Sequence, residues 1–168
     1  MKNTDYYKPK IHQIKVNEQP VSAVEYGLLY AKRKYYPRLK VTSSKHATDF
    51  INQLPGISES ISTNEVFGIL LLNRANYITG YKIISIGGTI GTVVDTKLVA
   101  KYALDTLSAA VILWHNHPSG NIKPSQSDIS LTKRIKSALA LLDVEVLDHL
   151  ILSLEDLCFS FTDEGIMP

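Results

Sequence analysis

Continuous apolar runs alternate with amphipathic stretches along most of the chain. VFGILLL at 66–72 and AAVILW at 109–114 have no charged break, the pattern of strands buried on both faces. NRAN at 73–76 is turn-like, and YITGYKIISIG follows it as a second strand, so this region predicts a hairpin. TVVD at 92–95 is short and β-branched. TKLVAKYALDTLSA at 96–109 has helical spacing at Leu98, Tyr102 and Ala109, with Val99, Ala103 and Leu107 adjoining. SQSDISLTKRIKSALALL at 125–142 predicts a second amphipathic helix, and VEVLDHLIL and LCFSFT predict two closing strands. Earlier, Ser44 can cap a helix over KHATDFINQL that ends near Pro55-Gly56. Strand pair, helix, strand, helix, strand pair predicts an α/β fold, a mixed β-sheet flanked by helices.

The first 42 residues lack such a pattern. Pro9, Pro20 and Pro37 break scattered apolar positions, and VSAVEYGLLYAKRKYY at 21–36 fits a helix or an extended piece equally well. We divide the chain into an N-terminal extension, 1–42, and one domain, 43–168. Charge supports the division. Net charge is only +2, but residues 1–45 hold ten Lys/Arg against three Asp/Glu, and six of nine tyrosines lie in the first 36. A basic, Tyr-bearing arm can track phosphates and stack bases, which makes DNA a candidate partner. The same composition suits a solvated extension or a strand pair docked on the body. No apolar run approaches the roughly 20 residues of a membrane span, and the N-terminus has no signal-peptide core. The single cysteine, Cys158, excludes an internal disulfide and a multi-cysteine zinc site. These features predict a cytoplasmic protein with no membrane contact; oligomeric state is left open.

HNHPSGNIKPSQSD at 115–128 carries the chemistry. Side chains alternate across a strand, so His115 and His117 can share a face while Asn116 points elsewhere. Two imidazoles there are half of a tetrahedral zinc site. Asp128, on the first turn of the following helix, can be a third ligand and leave a fourth position for water, the catalytic rather than the structural arrangement. Ser125 and Asp128 read equally as a helix cap, and the two roles are compatible.

The spacing His-x-His, seven residues, Ser-x-x-Asp resembles the JAMM (MPN-plus, Jab1-like) metalloprotease signature. With LDHLIL and NEVFGILLLN, it resembles more closely the RadC family of bacterial JAMM-domain proteins. That resemblance implies a layered, JAMM/MPN-like and cytidine-deaminase-like architecture, with zinc on His115, His117 and Asp128. It implies that Ser125 assists the water or the oxyanion, and that Glu65, just before the first apolar run, is the general base. Without the resemblance, Glu65 reads as a solvated charge at a strand start. His149 matches the family outside the signature; it and Asp148 read as groups that orient a ligand or as plain packing.

The implied function is a zinc-dependent metallohydrolase that cleaves a peptide or isopeptide bond in a protein substrate through a metal-activated water. Two alternatives stay open. One is a metal-dependent nuclease, because HNH-type sites also cluster His and Asn. The other is a non-catalytic DNA-repair-associated or partner-binding module. RadC proteins usually carry an N-terminal helix-hairpin-helix region, and residues 1–42 lack its Gly-rich hairpin signal.

Overall fold

The computed structural model describes residues 39–54, 63–87, 93–153 and 157–168. Most of the basic extension, including the ambiguous 21–36 stretch, lies outside them.

Five strands form one mixed sheet in the order β2-β1-β3-β4-β5. β1 (Val66–Leu72) and β2 (Ile78–Ile86) are the antiparallel hairpin predicted from the apolar runs. The turn between them is closed by Asn76 at φ 60, a left-handed position that Asn tolerates better than most residues. β3 (Ala110–Asn116) runs antiparallel to β1 and parallel to β4 (Glu145–Leu152), and β5 (Cys158–Ser160) closes the far edge antiparallel to β4. Every residue of β1 and β3 is buried, as their unbroken apolar runs require.

Helices cover both faces. α1 (Ser44–Asn52) packs through Ala47 and Ile51 onto one face with Leu70, Ile112, Trp114 and Leu150. α2 (Thr96–Asp105) and α3 (Gln126–Ala140) cover the other through Val99, Ala103, Ile135 and Leu139, against Phe67, Ile69, Val111 and Leu113. Alternation along β3 thus sends Ala110, Ile112 and Trp114 one way and Val111 and Leu113 the other. The fold is α/β, as the pattern predicts.

Two local expectations are corrected. Ser43, not Ser44, caps α1: its backbone is extended and its Oγ accepts from His46 N at 3.3 Å. Ser44 instead donates its hydroxyl to Asp163 near the C-terminus. α2 stops at Asp105, short of 109. Leu107 turns left-handed at φ 50, and Ser108 N bonds back to Ala103 O at 2.9 Å. Ala109 is then free to join the sheet, where its N–H bonds Leu72 O at 2.9 Å. In the TVVD segment, residues 93–95 are not a strand, and Asp95 caps α2 by accepting from Lys97 N. At the other end of the domain, Lys40 bridges Tyr77 and Val41 is buried beside α1, so the last extension residues already join the body. Among the described residues, no helix is long and apolar enough to cross a membrane.

Candidate metal centre

The end of β3 delivers two histidines to the α3 side of the sheet. His115 lies on the strand, with its side chain 2% exposed, and is the next inward position after Val111 and Leu113. The chain then turns. Gly120 N bonds His117 O at 2.9 Å, and Gly120 takes φ 75, a conformation that favours glycine. The turn brings the Asn121 carbonyl within 2.5 Å of His117 Nδ1. A carbonyl only accepts, so this nitrogen carries a hydrogen, and Nε2 is the edge of the ring that faces His115 and Asp128.

α3 supplies the third group. Ser125 is its N-cap and Asp128 closes a capping box: Ser125 Oγ accepts from Asp128 N, and Asp128 Oδ2 accepts from Ser125 N at 2.7 Å. Ser125 Oγ also donates to Oδ2 at 2.6 Å. The carboxylate is therefore fixed by the cap itself, and the positive end of the helix dipole favours its charge.

His115, His117 and Asp128 offer ligand atoms that all lie within 4.8 Å of one another, so the group could hold a metal ion. His115 Nε2 is 3.0 Å from His117 Nε2 and 3.5 Å from Asp128 Oδ1, and His117 Nε2 is 3.6 Å from Asp128 Oδ2. The two aspartate contacts use different carboxylate oxygens, so one oxygen and the two ring nitrogens have to close up slightly to reach the edges of roughly 3.3–3.6 Å of a tetrahedron with bonds of about 2.0–2.2 Å. Calcium would want more ligands, all oxygen, at longer range. Protonation suits a cation at two of the three groups, His115 and Asp128. Burial pushes His115 from 6.5 down to about 4, despite the opposing pull of Asp128. Burial also works against the charge of Asp128, but contacts from His117 and Ser125 outweigh it and hold the carboxyl well below its usual range. His117 is raised, chiefly by Asp128 beside it, with smaller help from the Asn121 carbonyl and Glu65.

Glu65 stands at the mouth of β1. Phe67 pairs with His115, so extending that antiparallel register by two residues sets Glu65 opposite His117. The backbone around it is pinned by Asn116, whose Oδ1 accepts from Val66 N at 2.8 Å and whose Nδ2 donates to Asn64 O at 3.0 Å. Sequence reasoning missed this clamp. The signal was there: a polar residue between two histidines, facing away from them at the end of a buried strand.

His149 lies on β4 beside the trio, its Nε2 2.8 Å from His115 Nδ1. Its Nδ1 meets Thr132 Oγ1 at 2.6 Å, a contact that sequence reasoning also missed, although Thr132 lies one helical turn after Asp128. Asp148 points to the opposite face. It accepts from Ser160 Oγ, Thr162 N and its neighbour His149 N, and so ties β5 and the following turn to β4. Burial raises its pKa against the lowering effect of these bonds.

A family model described as the RadC-like JAB domain matches residues 41–166, and the chain belongs to that family, with its JAMM-type fold. The chain is 43% identical over 146 residues to a UPF0758 protein of Flavobacterium johnsoniae, covering 87% of this chain and 62% of the relative. It is 34% identical over 151 residues to a UPF0758 protein of Porphyromonas gingivalis, covering 88% and 63%. With one from Azotobacter vinelandii the identity is 49% over 88 residues, 52% of this chain and 39% of the relative. The chain thus spans less than two thirds of the length of these relatives.

Proposed function

We propose that this chain is a zinc-dependent hydrolase of peptide or isopeptide bonds, with His115, His117 and Asp128 as metal ligands. The observation that carries this reading is the convergence of two imidazoles and a carboxylate, with ligand atoms within 4.8 Å of one another, around an aspartate fixed by its own helix cap. Two imidazoles and a carboxylate suit zinc, which when bound supplies a Lewis acid and lowers the pKa of water to about 7. Glu65, facing His117 across the register, takes the proton of the attacking water and returns it to the leaving amine. Ser125 serves the oxyanion by turning its hydroxyl away from Asp128 Oδ2. Its backbone N–H keeps hold of the carboxylate while it does so.

The test offers the purified chain peptide and isopeptide libraries beside single- and double-stranded DNA, with and without chelator. We expect chelator-sensitive amide cleavage that drops about 10²- to 10⁴-fold in Glu65→Gln, which keeps the shape but cannot accept the proton. Ser125→Ala should lose about 10² to 10³, the scale of one oxyanion donor. Undiminished cleavage in Glu65→Gln would show the base to be another group. Chelator-sensitive DNA cleavage that needs His115 and His117 would replace the protease reading with a nuclease.

A further inference from the structure

His149 stands outside the His-x-His…Ser-x-x-Asp spacing, yet it sits in the middle of a hydrogen-bonded string that ends at the trio. The direction of that string can be derived from its far end. The Asp128 carbonyl oxygen can only accept, so Thr132 Oγ1, 2.6 Å away, donates to it. That uses the one hydroxyl hydrogen. Thr132 can then only accept from His149 Nδ1 at 2.6 Å, and this nitrogen carries a hydrogen. His149 is fully buried, stacked on Phe161 and edge-on to Phe67, an environment that keeps an imidazole neutral. Its Nε2 is therefore a bare acceptor and takes the hydrogen of His115 Nδ1 at 2.8 Å. A neutral His115 is left with its lone pair on Nε2, the atom that faces His117 and Asp128.

We propose that His149 and Thr132 are positioning residues that select the tautomer of His115 able to bind metal, with the Asp128 main-chain carbonyl fixing the polarity. The inference rests on reading the trio as a metal site. An unconstrained neutral histidine in water keeps its hydrogen mainly on Nε2, which would block the ligand atom. The string reverses that preference before metal arrives. It also couples the ligands: Asp128 offers its carboxylate to the metal and its carbonyl, through Thr132 and His149, to the other ligand. His117 Nδ1 also donates to a carbonyl, that of Asn121, but two bare Nε2 atoms 3.0 Å apart would repel, so in the metal-free chain His117 Nε2 carries the hydrogen shared with His115 Nε2 and gives it up when metal binds.

The test is long-range ¹H–¹⁵N correlation on the full chain labelled at histidine nitrogens, stripped with chelator and then loaded with zinc, together with zinc affinities by competition. In the stripped wild type, we expect His115 and His149 both with hydrogen on Nδ1 and bare Nε2. Thr132→Val is similar in shape and leaves all three ligand side chains in place, but removes the hydroxyl that joins the Asp128 carbonyl to His149 and so frees His149 to reverse. It should shift His115 toward the Nε2–H form and weaken zinc binding about 10- to 100-fold, the usual scale for such supporting groups. Thr132→Ser should restore both readings. His149→Gln, which keeps an acceptor near Nε2, should bind zinc better than His149→Phe, which keeps only the ring stacking. His115 found with its hydrogen on Nε2 in the stripped wild type would overturn the proposal, as would Thr132→Val with unchanged tautomer and affinity. The expected tautomers in a wild type that binds no zinc would uphold the string and defeat the metal reading instead.

Discussion

The two faces of β3 solve the same packing problem with opposite chemistry. Toward α1, Trp114 is fully buried and lies flat over Gly68 on β1; a Cβ at Gly68 would come within 2.2 Å of the indole. At Trp114 this face depends on shape, and its directed polar contacts lie further along, at Asn116. Toward α3, the next residue, His115, is equally buried, but it is held by a directed string of polar groups that ends in helix backbone. Shape could be filled there by any residue of similar size. What the string adds is a defined proton on a defined nitrogen. The comparison teaches that stability and site chemistry are assigned to opposite sides of one strand, so substitutions should separate them.

The largest separation should come from Trp114→Ala. Removing a buried tryptophan typically costs about 3–5 kcal/mol, and we expect that loss in urea unfolding while zinc stoichiometry in the folded fraction stays unchanged. Loss of zinc in proportion to nothing but this substitution would break the division of labour.

Acid should act on the other face. The unfolded chain protonates His115 near 6.5 and the folded chain only near about 4. The unfolded state therefore binds the extra proton first as pH falls, so this contribution to stability is complete above about 6.5 and is lost progressively down to about 4. At 1.36 kcal/mol per unit, the loss is roughly 3 kcal/mol, with His149 acting in the same direction because burial lowers its pKa too. Urea midpoints of the metal-free chain across this range should fall with pH, and the slope should flatten in His115→Gln. An equally steep slope in that variant would place the titration elsewhere.

Gly68→Ala is the finest cut. The added methyl meets a ring atom of a fully buried side chain rather than the end of a flexible one, and overpacking of this kind costs about 1–3 kcal/mol. We expect that loss with zinc affinity within twofold of wild type. A fully stable Gly68→Ala would mean that the indole can slide and that the face is less tightly fitted than its geometry implies.

Much of this arrangement was legible in the sequence wherever a local rule governs it. The unbroken run VFGILLL is β1 residue for residue, and the cap at Ser125 and Asp128 follows from spacing along one helix turn. Alternation along a strand also foresees that His115 and His117 converge. What escaped depends on partners far apart in the chain. Thr132 meets His149 across 17 residues, and Asn116 reaches back about 50 residues to grip the backbone on either side of Glu65. No periodicity encodes such pairs. The early end of α2 escaped for a related reason: the pull of Leu72 on Ala109 in the sheet overrides helical spacing that runs on to 109. Ser43 and Ser44 compete for one cap, and the remote carboxylate of Asp163 engages Ser44.

The central claim is that His115, His117 and Asp128 together hold zinc, and its direct test is metal content by elemental analysis after equilibrium dialysis against zinc. The wild type should hold one zinc per chain. His117→Ala and Asp128→Ala, both at the more accessible side of the site than His115, should retain little or none while unfolding as cooperatively as the wild type, Asp128→Ala at somewhat lower stability because it also loses its helix cap. Unchanged zinc content in both variants would contradict the account.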